Sequence, residues 1–429
     1  MKKRRRSRLS VGTIVMLVLT ACVLAATAAF LFLIAGDGVY ERAYAAFNLL
    51  AETQKPTDVP SPEPTIKPLD TPMATAMPTA EPTAEPTPSP GLTTFTLAAA
   101  GTVYAPKAIR ESAQESGGHY DFLSVLNGIG DTLSAADLAI VTLETTTAGR
   151  EKGYGNYNTT SEILDALRAC GVDLVALATE RALDRGYDGL DLTLSELTSR
   201  SLAYAGVYPY SENGSATMMN INGVQVAVLA YSYGLSDEGK AQTKNDSRGV
   251  LALIDAQKMA QDITRARVDG ANVVIVLPHW GTKNHAETPE SVRVLANTLA
   301  QAGADVILGT HPNVAQGVER IHTVRSDGLT YETVVCYSLG CLLTDARSSE
   351  NTAGMAVNLT LVYDSNTRRA YPGEMKITPL YIVSQRKDGK NVYRVVDAED
   401  EQALSKLTIA EQQAAAQAVL RVRQAVKGE

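Results

Sequence analysis

A run of 28 residues without a charge, Leu9 to Gly36, constrains this chain more than any other feature. Most of its positions are Val, Leu, Ile, Ala or Phe. At ~1.5 Å rise per residue, a helix of roughly 25 such residues spans more than the ~30 Å hydrocarbon core of a bilayer. Six basic residues and no acid precede it (Lys2, Lys3, Arg4, Arg5, Arg6 and Arg8), which predicts a cytoplasmic N-terminus. The expectation is a single-pass cell-membrane protein with a basic tail (1–8), a transmembrane signal-anchor helix (9–36) and its main domain outside the cell. Two alternatives stay open. A signal peptide cleaved after an alanine near position 27 suits the basic start, although such peptides carry an apolar stretch of only about 7–15 residues. Leu19-Thr20-Ala21-Cys22 also resembles a bacterial lipoprotein cleavage site, although a mostly apolar segment, not a polar tether, follows Cys22. All three readings put the folded domain outside.

Residues 37–92 read as a juxtamembrane segment and a stalk. Tyr40, Tyr44, Phe47 and Leu50 recur at helical spacing. From Pro56 to Pro90 lie eleven of the chain's eighteen prolines, mixed with Thr, Glu, Ser and Ala. Such a segment lacks backbone donors and apolar bulk, and is expected to be disordered but extended, at ~3.1 Å per residue.

About 335 residues remain for folded structure, enough to bury a core without staples. Outside the basic tail the chain carries 33 basic against 47 acidic residues, a net charge of −14. A field of that sign repels polyanions and excludes a general nucleic-acid binder. Short apolar runs at Phe95–Ala100, Leu138–Leu143, Leu174–Leu177, Val224–Ala230, Val273–Leu277, Val306–Leu308, Val334–Tyr337 and Met355–Tyr363 predict strands. Ser161–Cys170, Leu190–Ser199, Asp255–Val268 and Pro289–Ala302 predict helices, with Asp255 and Thr288 as N-caps. Residues 372–395 read as extended, and a last amphipathic helix is expected over about Ile409–Val426. The alternation predicts an α/β fold with helices outside the sheets.

Polar groups cluster where these strands end. Val273–Leu277 runs into Pro278-His279-Trp280-Gly281, and Asp305–Gly309 into Thr310-His311-Pro312-Asn313. Asp137–Leu143 ends in Glu144, and Asp173–Ala178 in Thr179-Glu180-Arg181. Open α/β sheets collect ligands at the carboxyl ends of their strands, and two histidines with two carboxylates from separate strands suit a metal. Each residue also has a structural reading. His279 and His311 fit hydrogen-bonded wall residues, Glu144 a partner for Arg181, and Asp184 a helix cap or salt bridge. Arg181 either holds an anion or neutralises Glu144 and Glu180. His119, His285 and His322 read as surface residues. Cys170 and Cys336 read as buried, and Cys336 is spaced to bridge to Cys341 across Gly340. An odd set of three outside the apolar run argues against a disulfide-built domain.

Residues 93–385 resemble the CapA family of capsule and poly-γ-glutamate synthesis proteins. Ala136-Asp137-Leu138 through Thr142-Leu143-Glu144, Leu177 to Asp184 with Gly186 and Gly189, and Pro278-His279-Trp280-Gly281 are similar to its motifs. So are Ala302-Gly303-Ala304-Asp305 through His311-Pro312, and Tyr337-Ser338-Leu339-Gly340. The resemblance implies a metallophosphatase-like, four-layer sandwich of two mixed β-sheets flanked by helices, with residues 386–429 as a C-terminal extension. It implies Glu144, His279, His311 and Asp184 as catalytic candidates, and Glu144, Glu180, His279, His311 and Asn313 as metal ligands. The departures point the other way. Thr102 stands where the family has an Asp, Thr142 where it has an Asn, and Thr179-Glu180-Arg181 where it has Asn-Asn-His. Asn313 replaces a His, and Cys341 an Asn. A hydroxyl is a poor substitute for a carboxylate between two divalent ions. The implied cofactor is Mn²⁺ or Mg²⁺, or no metal at all. The expected function is envelope-polymer biosynthesis in an accessory or binding role with a degenerate metal site. The alternative is an active metal-dependent hydrolase or transferase. The implied partners are the membrane and an envelope polymer or the proteins that make it.

Overall fold

The structure is a computed structural model and describes residues 91–208, 216–244, 250–387 and 389–427. The expected transmembrane helix, the juxtamembrane helix and the stalk up to residue 90 lie outside the described residues. Among the described residues no helix is long and apolar enough to cross a membrane.

The chain builds two mixed sheets in an order that nests one inside the other. Strands β1 (Leu92–Val103), β2 (Leu138–Leu143), β3 (Leu174–Ala176) and β4 (Ala203–Ala205) open the first sheet. Strands β5 (Thr217–Ile221), β6 (Val224–Ser232), β7 (Val273–His279), β8 (Val306–Leu308), β9 (Val318–Val324) and β10 (Thr330–Cys336) form the second. Then β11 (Cys341–Leu343), β12 (Ala353–Asp364), β13 (Arg369–Lys387) and β14 (Lys390–Asp397) return to the first. The first sheet runs β14-β13-β12-β1-β2-β3-β4, with β11 beside the end of β1, and the second runs β5-β6-β7-β8-β10-β9. Strands β1 to β4 are parallel, as are β6, β7, β8 and β10, while the outer strands β12 to β14, β5 and β9 pair antiparallel. The sheet thus continues through β14, and each predicted apolar run became a strand.

The continuous apolar runs are explained by burial on both faces. Side chains alternate across a strand. In β1, Phe95, Leu97 and Ala99 point into the core between the sheets, and Ala98 and Ala100 point the other way. In β7, Val273, Ile275 and Leu277 enter that same central core, while Val274 and Val276 meet helices. The outer face of the first sheet is covered by helices α1 (Lys107–Ala113), α2 (Leu123–Leu126), α3 (Gly130–Ser134), α4 (Glu162–Ala169) and α5 (Gly186–Ser199), through Ile109, Leu126, Leu133, Ile163, Leu167 and Leu197. After the short α6 (Asp237–Thr243), α7 (Ala256–Val268) and α8 (Glu290–Ala302) cover the second with Ile263, Ala296 and Leu299. The layers are helix, sheet, sheet, helix. At the C-terminus, α9 (Glu401–Leu404) precedes α10 (Ile409–Lys427), whose Val422 joins the central core.

One device recurs where strands begin. Asp137, Asp173 and Asp305 each precede a strand, and each accepts a backbone N–H from the neighbouring one. Asp137 Oδ2 takes Thr96 N at 2.7 Å, Asp173 Oδ2 takes Ala139 N at 2.8 Å and Asp305 Oδ2 takes Val274 N at 2.8 Å. The three carboxylates satisfy sheet donors that would otherwise lie unpaired, and so set the register that brings the opposite strand ends together. Asp255 caps α7 as expected, accepting from Lys258 N. Thr288 does not cap α8: Pro289 is itself the N-cap, with extended ψ of 146°, because its ring has no N–H and the helical donors start one residue later. Helix α5 begins at Gly186, earlier than Leu190, with Asp188 in its first turn. The cysteines Cys170, Cys336 and Cys341 are free and buried, so no bridge spans Gly340.

Candidate functional site

The carboxyl ends of strands from both sheets meet at one place. Glu144 follows β2, and its amide donates to Val103 O (3.0 Å) at the end of β1. Glu180 follows β3, its carbonyl held by Ser236 N at 2.8 Å. From the second sheet come His279, the last residue of β7, and His311, three residues past β8. Backbone bonds from Thr310 N to Pro278 O (3.0 Å) and from Trp280 N to Thr310 O (3.0 Å) lock these two loops together. His311 and Asn313 hold φ of 97° and 62°, in the left-handed region that non-glycine residues rarely adopt. Such backbone costs of order 1–3 kcal/mol, and it persists where surrounding contacts impose it. The ring of Pro312 between them sits over Gly281.

Glu180 is the hub. It is 1% exposed. Its Oε2 lies 2.6 Å from His279 Nε2 and its Oε1 lies 2.7 Å from Lys283 Nζ. Because the carboxylate can only accept, His279 Nε2 carries the proton, and Nδ1 takes the Thr310 hydroxyl at 2.9 Å. His311 Nδ1 is 3.5 Å from the same Oε2, makes no hydrogen bond and is buried. The His279 and His311 rings meet edge-on at 4.9 Å, and Tyr233 lies 4.4 Å from the His311 ring. Glu144, 3% exposed, stands 3.8 Å from Lys283 Nζ. Arg181, expected to neutralise Glu144 or Glu180, lies 3.9 Å from Glu180 Oε1 and 3.4 Å from Asp184 Oδ2, and stacks over Tyr157 at 3.8 Å. Asp184 also accepts from the Ser236 hydroxyl. It serves as an ion-pair and loop-holding residue beside the histidines.

Charge in this pocket is shared unequally. Burial and then the Glu180 charge push the Glu144 carboxyl up to about 8, with Lys283 and Arg181 offsetting part of the rise. Burial works against ionised Glu180 too, but the His279 hydrogen bond and the Lys283 ammonium outweigh it and hold its pKa below the ordinary carboxylate range. Burial lowers His279, which keeps it neutral beside that carboxylate. Lys283 resists burial because Glu144 and Glu180 hold its charge in place.

Whether these residues suit a metal depends on the position. Glu180, His279 and His311 offer donor atoms within 4.8 Å of one another. Two imidazoles and a carboxylate are ligands a divalent ion accepts, and His311 Nδ1 is a buried donor atom with no other partner. One ion fits there in kind. Beside this group the Lys283 ammonium stands 2.7 Å from Glu180 Oε1 and 3.8 Å from Glu144 Oε1. A divalent ion about 5 Å from a lysine cation is opposed by about 7 kcal/mol at an effective dielectric constant near 20. At the family's first-Asp position, Thr102 offers only a buried hydroxyl with no partner. The backbone carbonyl of Asn313 accepts from Asn351 Nδ2 at 3.1 Å. Glu180, His279 and His311 are thus the residues that would hold a divalent ion.

Of the residues expected from the sequence, Glu180, His279 and His311 come into one group, with Glu144 one lysine away. Lys283, Tyr233 and Ser236 were not foreseen, and Thr310 was named only as part of its strand-end cluster. The only sequence signal for Lys283 was its place four residues after His279, in a loop that looked solvated.

Comparison with known proteins agrees with the motifs. The sequence model described as "Bacterial capsule synthesis protein PGA_cap" matches residues 96–346. The "PGA biosynthesis protein CapA" of Bacillus subtilis (strain 168) is 30% identical over 189 residues, 44% of this chain and 46% of that protein. The "Capsule biosynthesis protein CapA" of Bacillus anthracis is 27% identical over 188 residues, 43% of each chain. These alignments span less than half the length of the relatives. Among solved structures, the calcineurin-like phosphoesterase YfkN from Bacillus subtilis superposes with a TM-score of 0.38 and 13% identity, covering 78% of this chain and 97% of that one. With more than half of the chain matched, and with the strand-end motifs of that match forming one buried pocket, this protein belongs to the bacterial capsule synthesis family, PGA_cap, that includes the CapA proteins.

Proposed function

We propose that this protein acts in capsule or poly-γ-glutamate biosynthesis as a membrane-anchored, extracytoplasmic component whose pocket binds and does not cleave. The named activity of the CapA relatives supports the biosynthetic setting. The charge-free run at 9–36 behind six basic residues supports the anchor and the outward domain. The observation that carries the accessory role is the company Glu180 keeps. Three buried carboxylates, Glu144, Glu180 and Asp184, are answered by the side-chain cations Lys283 and Arg181. With Glu144 held protonated near neutrality, the two remaining negative charges meet two positive ones. Counted this way, the carboxylates of the pocket are balanced by its own side-chain cations.

A second reading has its own observation. The unpartnered Nδ1 of His311, beside His279 and Glu180, favours a single-ion hydrolase or transferase acting on an envelope polymer. A divalent ion there would polarise a phosphoryl or carbonyl oxygen. Glu180 would orient His279, and Tyr233 would wall the His311 ring from solvent.

The test is polymer output in the native host. Deleting the gene should lower cell-associated anionic polymer, and full-length protein should restore it. Purified protein incubated with the polymer and Mn²⁺ should bind it without shortening it under the binding reading. Shortening of the polymer that His279→Ala and His311→Ala both abolish would hand the case to the hydrolase. Unchanged polymer on deletion would overturn the biosynthetic role. Cell fractionation checks the anchor: recovery of the protein in the soluble fraction would refute it.

A further inference from the structure

Lys283 is built into the pocket. Its loop is pinned on two sides: Asn284 N donates to Pro312 O at 2.8 Å, and Asn284 Oδ1 accepts from Asn351 Nδ2 at 2.9 Å. The Lys283 carbonyl faces His285 Nδ1 at 2.7 Å, and Asn284 holds a φ of 59° to make the turn. The lysine side chain is 34% exposed, while the carboxylates it faces are 4% (Glu144) and 2% (Glu180) exposed. A surface lysine leaves its ammonium in water. This one carries it inward, to 2.7 Å from Glu180 Oε1 and 3.8 Å from Glu144 Oε1. The third carboxylate, Asp184, is already engaged by Arg181 and Ser236. The two carboxylates that are left, Glu144 and Glu180, both face the Lys283 ammonium.

We propose that the Lys283 ammonium is the resident cation of this pocket, taking the place of one divalent ion between Glu144 and Glu180 and weakening any ion at Glu180, His279 and His311. The proposal rests on the degenerate-site part of the functional reading above and is independent of which polymer the protein serves. An ammonium offsets the Glu180 charge as a metal ion would, but it has no vacant position for a substrate oxygen and generates no bound hydroxide. The pocket keeps the shape of a two-cation site while losing its Lewis acidity.

Mn²⁺ titration of the purified full chain, followed by electron paramagnetic resonance and by metal content after desalting, tests this. Wild type should retain no more than one Mn²⁺, with no signal from a coupled ion pair. Lys283→Met keeps most of the apolar stem and removes the charge, and should bind Mn²⁺ at least ~30-fold more tightly, about 2 kcal/mol, the part of the repulsion that solvent screening of a partly exposed ammonium leaves. Lys283→Arg keeps the charge and should bind as weakly as wild type. Two Mn²⁺ per wild-type chain would overturn the proposal. So would a folded Lys283→Met protein whose Mn²⁺ affinity stays within about threefold of wild type. If Lys283→Met fails to fold, the wild-type stoichiometry decides alone. These outcomes are separate from the polymer assay, so a wild-type protein carrying two ions would refute the resident cation while leaving the biosynthetic role standing.

Discussion

Lys283 Nζ lies 2.7 Å from Glu180 Oε1, although 103 residues separate the two along the chain and they descend from different sheets. The contact joins the two halves of the sandwich at the point where their strand ends converge. It also decides the electrostatics of the pocket, because Glu180 is simultaneously the hydrogen-bond acceptor for His279.

Replacing Glu180 by Gln should therefore be felt in stability as well as in the site. The substitution leaves Lys283 facing a neutral amide. Breaking a buried pair from one side costs about 3–5 kcal/mol, and partial exposure of the lysine reduces that to about 2–3 kcal/mol. Urea denaturation of wild type and Glu180→Gln measures the difference, and a change below about 0.5 kcal/mol would show that the pair adds nothing to stability.

The strand-start aspartates make a graded prediction. Asp305 is 2% exposed and takes Val274 N at 2.8 Å, Arg325 at 3.4 Å and Arg267. Asp305→Asn removes the counter-charge of Arg267 and Arg325, which keep backbone carbonyl partners, and should cost about 3–4 kcal/mol. Asp137 does the same service for Thr96 but on an exposed edge, so Asp137→Asn should cost about 1 kcal/mol. Equal costs in parallel urea melts would refute the role assigned to burial.

Gly309 is held by close approach. A Cβ there would stand 2.1 Å from Tyr337 O and 2.4 Å from Trp280 Nε1. It would break the 2.9 Å bond that Trp280 donates to Tyr337 O. Gly309→Ala should destabilise by about 3 kcal/mol. Trp280 is the chain's one tryptophan, so its fluorescence should shift to longer wavelength as the loop carrying His279 loosens. An unshifted spectrum would mean that the loop absorbs the methyl elsewhere.

The thiols should be silent until the protein unfolds. Burial pushes Cys170 up to about 11 and Cys336 up to about 12, and raises Cys341 as well. At about pH 8 the reactive thiolate is scarce and shielded. In a Cys22→Ser background, a thiol reagent at that pH should label none of the three in native protein and all three in denaturant, and reductant should leave the melting temperature unchanged. Native labelling of Cys341 would show that the pocket opens in solution.

Strand positions were readable from sequence because burial on both faces leaves runs such as Val273–Leu277 without polar interruption. So were the candidates at their ends, because a strand entering a ligand loop must change from apolar to polar within one or two residues. Thr288 misled because a threonine before a proline looks like a cap, and the position of the first free helical N–H depends on where the proline ring sits. Arg181 was legible in part, since its Nε lies 3.9 Å from Glu180 Oε1, one of the carboxylates expected for it. Its neighbours in sequence are Glu180 and Asp184, and only packing against Tyr157 settled that it turns chiefly toward Asp184.

What local chemistry dictates here is a set of elements: which segments pair as strands, which lie outside as amphipathic helices, and which polar groups stand at the ends. Those follow from hydrophobic periodicity, which acts over a few residues. The partners of Glu180 do not. His279 and Lys283 reach it because parallel strands of two sheets are brought face to face around the central core of Leu97, Ile140, Val226 and Ile275. A Coulomb interaction depends on distance through space, and no spacing along the chain reports that the ammonium of one loop fills the gap between two carboxylates of another sheet.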